Sequence, residues 1–190
     1  MAFTIIEELL NGLLLIKPDV FGDDRGFFME AYNENIFKQL GINAHFFQDN
    51  HSRSSQGVLR GLHFQWEKPM GKLIRVVRGS IQLVEVDIRP NSPTCGEHIM
   101  RELSEDNKLM MWIPPGFANG FLVTSDVADV QYKCSAIYNP SCESGIRWND
   151  PALGINWGIE QPTLSPKDAN AQTLQEWLSK PEAQVFTYYK

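Results

Sequence analysis

The chain has 190 residues, 43% of them hydrophobic, and a formal net charge of −6. This length and composition suit one globular domain, so we predict a single domain over residues 1–190. The acidic balance argues against binding to nucleic acid, and no apolar run is long enough to cross a bilayer. The N-terminus lacks the basic region of a secretory signal, and three cysteines without metal-type spacing indicate a reducing compartment. We therefore expect a cytoplasmic protein with neither a nucleic-acid nor a membrane partner.

The N-terminal quarter predicts short strands and one short helix. In chain order, its strands and loop are a strand pair or edge strand within residues 3–16, a loop over 18–26, a short strand over 27–32 and a strand over 45–50. Before the last of these, Asn33 or Asn35 can cap a helix that runs to Leu40 and is ended by Gly41.

Short apolar runs then alternate with turn signals as far as Lys133. The predicted strands are Leu73–Arg78, Ile81–Ile88, His98–Leu103, Met110–Ile113, Gly120–Thr124 and Ala128–Lys133. Turns rich in Gly, Pro, Asn and Ser separate them. Many short strands at this spacing are typical of a mainly β sandwich or barrel.

The C-terminal tail has a helical pattern instead. Ser165 suits an N-cap, Pro166 the first helical position and Asp168 the third. Apolar residues recur at helical spacing from Leu174. We predict one C-terminal helix over about residues 165–179, packed against the β core.

The segment Gly57–Gln65 combines core residues with two side chains that can do chemistry. Its apolar residues can fill a sheet-lined core, whereas Arg60 and His63 stand among them. A guanidinium in this setting suits a phosphate, and a histidine can transfer protons near neutral pH. A second interpretation is an ordinary strand whose Arg60 and His63 are solvated or bonded structurally.

Several sequence blocks together resemble one known family. The blocks are Gln48–Ser55, Gly57–Gln65, Gly71–Gly79, Trp112–Ala118, Gly145–Pro151 and Leu164–Asp168. They resemble the dTDP-4-dehydrorhamnose 3,5-epimerases. The resemblance implies a cupin-type double-stranded β-helix jelly roll with a short N-terminal helix and a C-terminal helix. It also implies a homodimer that exchanges the N-terminal strands, about residues 1–32, and no metal or organic cofactor.

The resemblance implies an epimerase in deoxysugar biosynthesis of the rhamnose type. Such an enzyme inverts C3, C5 or both in a nucleotide-activated 4-keto-6-deoxyhexose, through removal and return of a proton by way of an enolate. Two alternatives remain open: an epimerase of one centre or of another nucleotide sugar, such as a CDP-sugar, and a non-catalytic sugar-binding cupin.

Four residues match the catalytic positions of the family. His63 matches the base, Asp168 the carboxylate that orients it, Tyr132 the general acid and Lys72 the contact to the sugar ketone. Each also has a structural interpretation. Asp168 suits a helix N-terminus, Tyr132 suits core filling and Lys72 suits solvent exposure.

Substrate-binding positions follow from the same resemblance. They are Arg25 and Arg60 for the phosphates, Gln48 and Asn50 for sugar or phosphate oxygens, Glu30 for the base, Phe21 and Phe28 for stacking on it, Tyr138 for the base or sugar, and Glu143 and Lys167 as further contacts. Arg25 and Glu30 match residues that reach the neighbouring subunit's site.

Asn119 departs from the family pattern, which has histidine at this place. Asn keeps a hydrogen-bond donor and acceptor but does not titrate near pH 7. We predict that Asn119 lines the sugar pocket. The positions at which metal-binding cupins carry ligands hold His63, Gln65 and Asn119, and one imidazole with two amides is a poor set for a transition metal. We therefore predict no metal.

Overall fold

The computed structural model describes residues 2–188. Met1, Tyr189 and Lys190, which belong to the predicted domain of residues 1–190, lie outside the described residues. The strands are β1 (Phe3–Leu9), β2 (Leu13–Pro18), β3 (Phe21–Asp23), β4 (Gly26–Phe28), β5 (Gln48–Ser55), β6 (Leu59–Gln65), β7 (Lys72–Arg78), β8 (Ser80–Asp87), β9 (His98–Ser104), β10 (Met110–Ile113), β11 (Phe117–Val123), β12 (Val127–Cys134) and β13 (Glu143–Gly145). The helices are α1 (Glu34–Gln39), α2 (Pro166–Ala169) and α3 (Leu174–Leu178), followed by a 3₁₀ helix over Pro181–Phe186.

Two antiparallel sheets form the predicted mainly β jelly roll. The first sheet has the order β1-β2-β10-β7-β12-β5 and the second the order β13-β6-β11-β8-β9, so that neighbours in space are mostly distant in sequence. Inward-facing apolar side chains from both sheets fill the space between them, among them Leu15, Ile74, Leu83, Met111 and Val130. Because successive side chains of a strand point to opposite faces, each sheet turns one face toward this inner core.

The outer faces of both sheets are partly covered. Helix α1 begins at Asn33, whose side chain accepts hydrogen bonds from two backbone N–H groups, as predicted, and it buries Phe37 against the first sheet beside Trp112. On the second sheet, Trp177 packs on Phe64 with ring centroids 4.5 Å apart. Two further hydrophobic clusters thus flank the inner core.

The predicted single C-terminal helix is wrong. Its start is confirmed, because the Ser165 side chain accepts a hydrogen bond from the Asp168 backbone and Pro166 follows it. The helix then ends at Asn170, whose side chain donates to the Pro166 carbonyl at 2.7 Å. A separate helix, α3, begins at Thr173 with a complete capping box. The C-cap at Asn170 and the N-cap at Thr173 therefore divide the segment into two short helices.

The predicted loop over residues 18–26 is also corrected, because it contains β3, which pairs with β4 as a hairpin. The short strand predicted over 27–32 overlaps β4 but ends at Phe28. Phe21 pairs with Phe28 across this hairpin, and both side chains are more than half exposed. The predicted strand over 45–50 begins only at Gln48. None of the helices between Ala2 and Tyr188 has the length and apolar character of a membrane-spanning segment.

A close backbone approach joins β6 to β11. Gly61 has a φ of +135°, and a Cβ atom placed on it would lie 2.4 Å from the Gly120 Cα. No larger residue fits at that distance without moving a strand. In the adjacent register His63 lies opposite Asn119, and Asn119 in turn lies opposite Glu85 on β8. The glycine contact therefore fixes the row of polar residues from which the site is built.

Candidate active site

A small cavity opens between the two sheets at one end of the jelly roll. Its volume is about 90 Å³. It is lined by Asn50, His63, Phe64, Gln65, Met70, Lys72, Tyr132, Tyr138 and Glu143. His63 comes from β6 of the second sheet, whereas Lys72 and Tyr132 come from β7 and β12 of the first. Groups from opposite walls therefore face the same space.

His63 and Asp168 form a hydrogen-bonded pair although they are far apart in sequence. The His63 Nε2 lies 2.5 Å from Asp168 Oδ1, and Asp168 is 3% exposed. Ser165 accepts a hydrogen bond from the Asp168 backbone N–H, which holds the carboxylate at the start of α2 beneath the imidazole. The helix-capping and histidine-orienting interpretations of Asp168 are both realised in one residue.

The protonation of this pair follows from its surroundings. Burial opposes the charge on Asp168, but hydrogen bonds from His63 and Ser165 and the charges of His63 and Lys167 outweigh it and lower the pKa of the carboxyl. An ionised Asp168 accepts the hydrogen bond, so His63 carries its proton on Nε2. The Nδ1 atom then keeps its lone pair and is the nitrogen able to accept a substrate proton.

Tyr132 is held in its protonated form. Burial raises the pKa of its phenol, and the charges of Cys134 and, least of all, Glu143 add to this effect, which outweighs the opposing hydrogen bond of Asn50 and charge of Arg60. Near neutral pH the hydroxyl therefore has a proton to give. Its position on the sheet opposite His63 lets it approach a substrate from the other side.

Lys72 is half-buried and contacts Asn119. Its Nζ donates to Asn119 Oδ1 at 3.2 Å, and its ammonium lies 5.9 Å from the centroid of the Tyr132 ring. Burial lowers the pKa of Lys72, while the carboxylates of Glu85 and Glu143 and the Cys134 thiol oppose that effect. Lys72 is thus a cation held beside the proton donor, which is the arrangement that stabilises a developing oxyanion.

Five of the predicted binding residues form one network at the rim of the cavity. Gln48 donates to Asn50 Oδ1 at 2.9 Å and accepts from the Tyr138 backbone. The Tyr138 hydroxyl donates to Glu143, which also pairs with Lys167. Burial opposes the charge on Glu143, but these two hydrogen bonds outweigh it and lower its pKa. The rim therefore presents fixed donors and acceptors.

Four predicted binding residues lie elsewhere in the chain. Phe21, Arg25 and Phe28 line a separate concavity on the β3–β4 hairpin, where Arg25 pairs with Asp23. Glu30 accepts a hydrogen bond from Asn33. None of the four lines the His63 cavity within the described residues. Their role as substrate contacts stays a prediction.

Arg60 is exposed, and its Nε donates to Ser54 at 3.0 Å. It does not line the cavity, yet its charge acts on Tyr132. It is therefore an exposed cation that acts on Tyr132, and its role as a phosphate contact stays a prediction.

Asn119 does not occupy the predicted place on the cavity wall. It is 8% exposed, and its amide bridges Lys72 and Glu85 behind the wall. Its hydrogen-bonding groups are thus committed to other residues, and direct contact with substrate stays a prediction. Gln65 is committed too, because its amide contacts the backbones of Lys68, Ile137 and Asn139. Across residues 2–188 no three His, Cys, Asp or Glu side chains converge as a metal site does.

Sequence reasoning missed Glu85, which the structure places directly behind Asn119. Its side chain is fully buried. A signal for it was present, because Glu85 interrupts the apolar run Leu83–Val86 in a strand covered on both faces. Met70 and Phe64 were missed as cavity-lining residues, and nothing in their local sequence distinguishes them from other core residues.

Comparison with known proteins decides the family. The model of the dTDP-4-dehydrorhamnose 3,5-epimerases matches residues 7–176. The chain belongs to the dTDP-4-dehydrorhamnose 3,5-epimerase family. It is therefore an isomerase of the epimerase type. A family member from Methanothermobacter thermautotrophicus, a dTDP-4-dehydrorhamnose 3,5-epimerase, is 50% identical over 177 residues, which are 92% of this chain and 96% of that relative.

Solved structures of the family share the fold. The dTDP-6-deoxy-D-glucose-3,5-epimerase of Legionella pneumophila, in complex with dTDP-4-keto-L-rhamnose, superposes with a TM-score of 0.92 at 45% identity over 99% of both chains. ChmJ, a 3'-monoepimerase from Streptomyces bikiniensis in complex with dTDP-quinovose, has a TM-score of 0.82 at 32% identity, covering 86% of this chain and 84% of that one. The epimerase fold thus carries both two-centre and one-centre activities.

Proposed function

We propose that this epimerase inverts C3, C5 or both in a nucleotide-activated 4-keto-6-deoxyhexose and serves deoxysugar biosynthesis of the rhamnose type. The single observation that carries the proposal is the His63–Asp168 pair, 2.5 Å apart, in a cavity shared with Lys72 and Tyr132. A carbon next to a ketone is acidic enough for this set of a base, an oxyanion stabiliser and an acid.

The reaction begins with His63. Its Nδ1 removes the proton from the carbon beside the C4 ketone, and Asp168 stabilises the imidazolium that forms, as in other His–Asp pairs. The electron pair moves to the ketone oxygen and gives an enolate. General-base catalysis of this kind contributes roughly 10²- to 10⁴-fold to a rate.

Lys72 and Tyr132 complete the inversion. The Lys72 ammonium stabilises the enolate oxygen, and the loss of one such donor typically costs about 2.7–4 kcal/mol of transition-state stabilisation. Tyr132 then returns a proton to the opposite face of the carbon. Since its pKa is raised by burial, the phenol is protonated when the enolate forms.

The nucleotide requires more room than the cavity offers. A volume of about 90 Å³ holds part of a sugar ring, whereas ligand pockets generally measure roughly 300–1,000 Å³. The rim residues Gln48, Asn50 and Tyr138, together with Arg60, are the nucleotide contacts in one chain. In a homodimer that exchanges N-terminal strands, the Phe21, Arg25, Phe28 and Glu30 side chains of one protomer complete the site of the other.

A one-centre epimerase is the second candidate. It is favoured by the likeness to the 3'-monoepimerase ChmJ and by Asn119, which stands where the family pattern has histidine. A CDP-sugar or another nucleotide sugar is accommodated by the same chemistry, because the acidic carbon lies in the sugar. A non-catalytic binder is the remaining alternative, and the assembled base, acid and cation argue against it.

We also place the enzyme in the cytoplasm and expect no metal or organic cofactor. The described chain has its three cysteines free, and buried Cys134 has a pKa raised to about 11 by desolvation, so it is not a reactive thiolate. Proton abstraction beside a ketone needs no redox group.

Deuterium exchange from solvent tests the proposal. Purified enzyme is incubated in D₂O with dTDP-, UDP-, CDP- and GDP-4-keto-6-deoxyhexoses, and the products are analysed by NMR. We expect deuterium at both C3 and C5 with the preferred nucleotide. Exchange at one carbon identifies a one-centre epimerase, and no exchange with any substrate despite binding would leave only a sugar-binding protein.

A further inference from the structure

A buried row of three polar side chains lies behind the cavity. Glu85 on β8 accepts a hydrogen bond from Asn119 Nδ2 at 2.6 Å, and Asn119 Oδ1 accepts one from Lys72 Nζ at 3.2 Å. Glu85 is 0% exposed and its second oxygen, Oε2, has no partner among the described residues. The row crosses from the second sheet to the first and ends at the cavity.

The amide of Asn119 has only one orientation that satisfies this row. Its NH₂ group donates and its oxygen accepts. Because a carboxylate on β8 accepts from the NH₂ group, the oxygen is turned toward the opposite sheet, where it meets the ammonium. Glu85 thereby decides which end of the amide Lys72 contacts.

We propose that Glu85 is a positioning residue for the epimerisation, which through Asn119 fixes the place of the Lys72 ammonium and through its carboxylate keeps that ammonium charged. This inference rests on the proposed role of Lys72 at the sugar ketone. Glu85 does not touch substrate, since Asn119 stands between it and the cavity.

The charges around the row support this role. Burial raises the pKa of Glu85 and lowers the pKa of Lys72, whereas the attraction between the two charges lowers the pKa of Glu85 and raises the pKa of Lys72. The other groups that act on Lys72 are Cys134 from β12, Glu143 from β13 and Lys167 from α2. On its far side Glu85 pairs with apolar Ile99 of β9. Asn119, which joins the two groups, does not titrate itself.

Two substitutions separate the two contributions of Glu85. Glu85→Gln keeps the length and an oxygen that accepts from Asn119, but removes the charge. Glu85→Asp keeps the charge, but one methylene less withdraws it from Asn119. Glu102→Gln is the matched control, because Glu102 is an exposed carboxylate on the adjacent strand β9 with the same change in net charge.

The sign of the expected pH effect follows from the lost carboxylate. Without its attraction the pKa of Lys72 falls, so the ammonium is lost at lower pH. We expect the alkaline limb of kcat/KM in Glu85→Gln to move down by about one pH unit or more, with KM nearly unchanged. In Glu85→Asp we expect kcat to fall about tenfold without that shift. Glu102→Gln keeps the wild-type profile.

A measurement without turnover separates this inference from the proposed function. Titration of ¹³Cε-labelled lysine by NMR, with the Lys72 signal assigned through Lys72→Arg, follows the ammonium directly. A lowered Lys72 pKa in Glu85→Gln supports the coupling whatever the substrate proves to be. An unchanged Lys72 pKa, or an alkaline limb that stays in place while the wild type epimerises its substrate, overturns the inference and leaves the proposed function intact.

Discussion

At the scale of single residues, the site depends on which groups hold their protons. Asp168 is ionised, Tyr132 is protonated, and both states follow from burial set against hydrogen bonds. His63 contacts Asp168 through Nε2, which leaves its Nδ1 atom to accept a proton. The division of labour between base and acid is therefore set by the surroundings of the two partners.

Replacement of His63 by Asn tests the base. The Asn amide cannot accept a proton and has no atom at the place of Nε2, which contacts Asp168, so we expect kcat to fall roughly 10²- to 10⁴-fold. Nucleotide binding, measured by calorimetry, should be unchanged, because the rim network does not include His63. His98→Asn, on the outermost strand of the second sheet, is the control. Near-normal turnover in His63→Asn would remove the residue as the base.

Much of the site was predictable at this scale and part of it was not. The His63–Asp168 pair, Lys72 and Tyr132 come together as the motif blocks indicate. The place of Asn119 could not be predicted, because its partners Lys72 and Glu85 arrive from different strands in different sheets. Local sequence reports neither the direction of a side chain across a sandwich nor what lies behind it.

At the scale of elements, short apolar runs between turn signals predict the presence of a strand well and the residues at which it ends poorly. Met110–Ile113 is confirmed to the residue, since apolar positions there are bounded by turns. The prediction of one C-terminal helix is wrong because Asn170 ends one helix and Thr173 begins another within four residues. Strand β3 is missed because a glycine and charged residues follow its single phenylalanine, Phe21. A strand of only three residues cannot be recognised in the sequence when turn-forming residues lie next to it.

The glycine contact between β6 and β11 gives a prediction for stability. In Gly61→Ala the new Cβ would meet the Gly120 Cα at 2.4 Å, and φ of +135° is unsuited to alanine. We expect a loss of about 3 kcal/mol in the free energy of unfolding, measured with urea. Gly154→Ala, at φ +61° with open space around it, should lose only about 1 kcal/mol. Equal losses in the two variants would show that backbone strain alone matters.

At the scale of the whole molecule, the predicted catalytic residues share one cavity within a chain, whereas some of the predicted binding residues lie exposed on the β3–β4 hairpin. Phe21, Phe27 and Phe28 are each more than half exposed on the hairpin. Phe47, Ile137 and Tyr138 are similarly exposed near the rim of the cavity. Two apolar patches on one chain are the expected surfaces of a dimer in which each covers the other.

Mixed dimers test this arrangement. His63→Asn and Arg25→Ala chains are co-expressed with different tags, and the heterodimer is isolated by two affinity steps. If Arg25 serves the neighbouring site, one of the two sites is intact in each heterodimer, and we expect about half the wild-type activity. Each homodimer alone should be strongly impaired. A heterodimer without recovered activity would place Arg25 in its own chain's site, and an Arg25→Ala homodimer with full activity would place it outside both sites.

The proton acceptor and the proton donor are attached to different sheets, and this ties stereochemistry to the thickness of the sandwich. Their separation is set by the volumes of core side chains such as Ile74, Met111 and Phe121, which hold the sheets apart. A displacement of about 1 Å between reacting groups can change a rate about 10²-fold. A family of this fold can therefore shift its preference from one ring carbon to another through substitutions in the interior, far from any atom that touches the sugar.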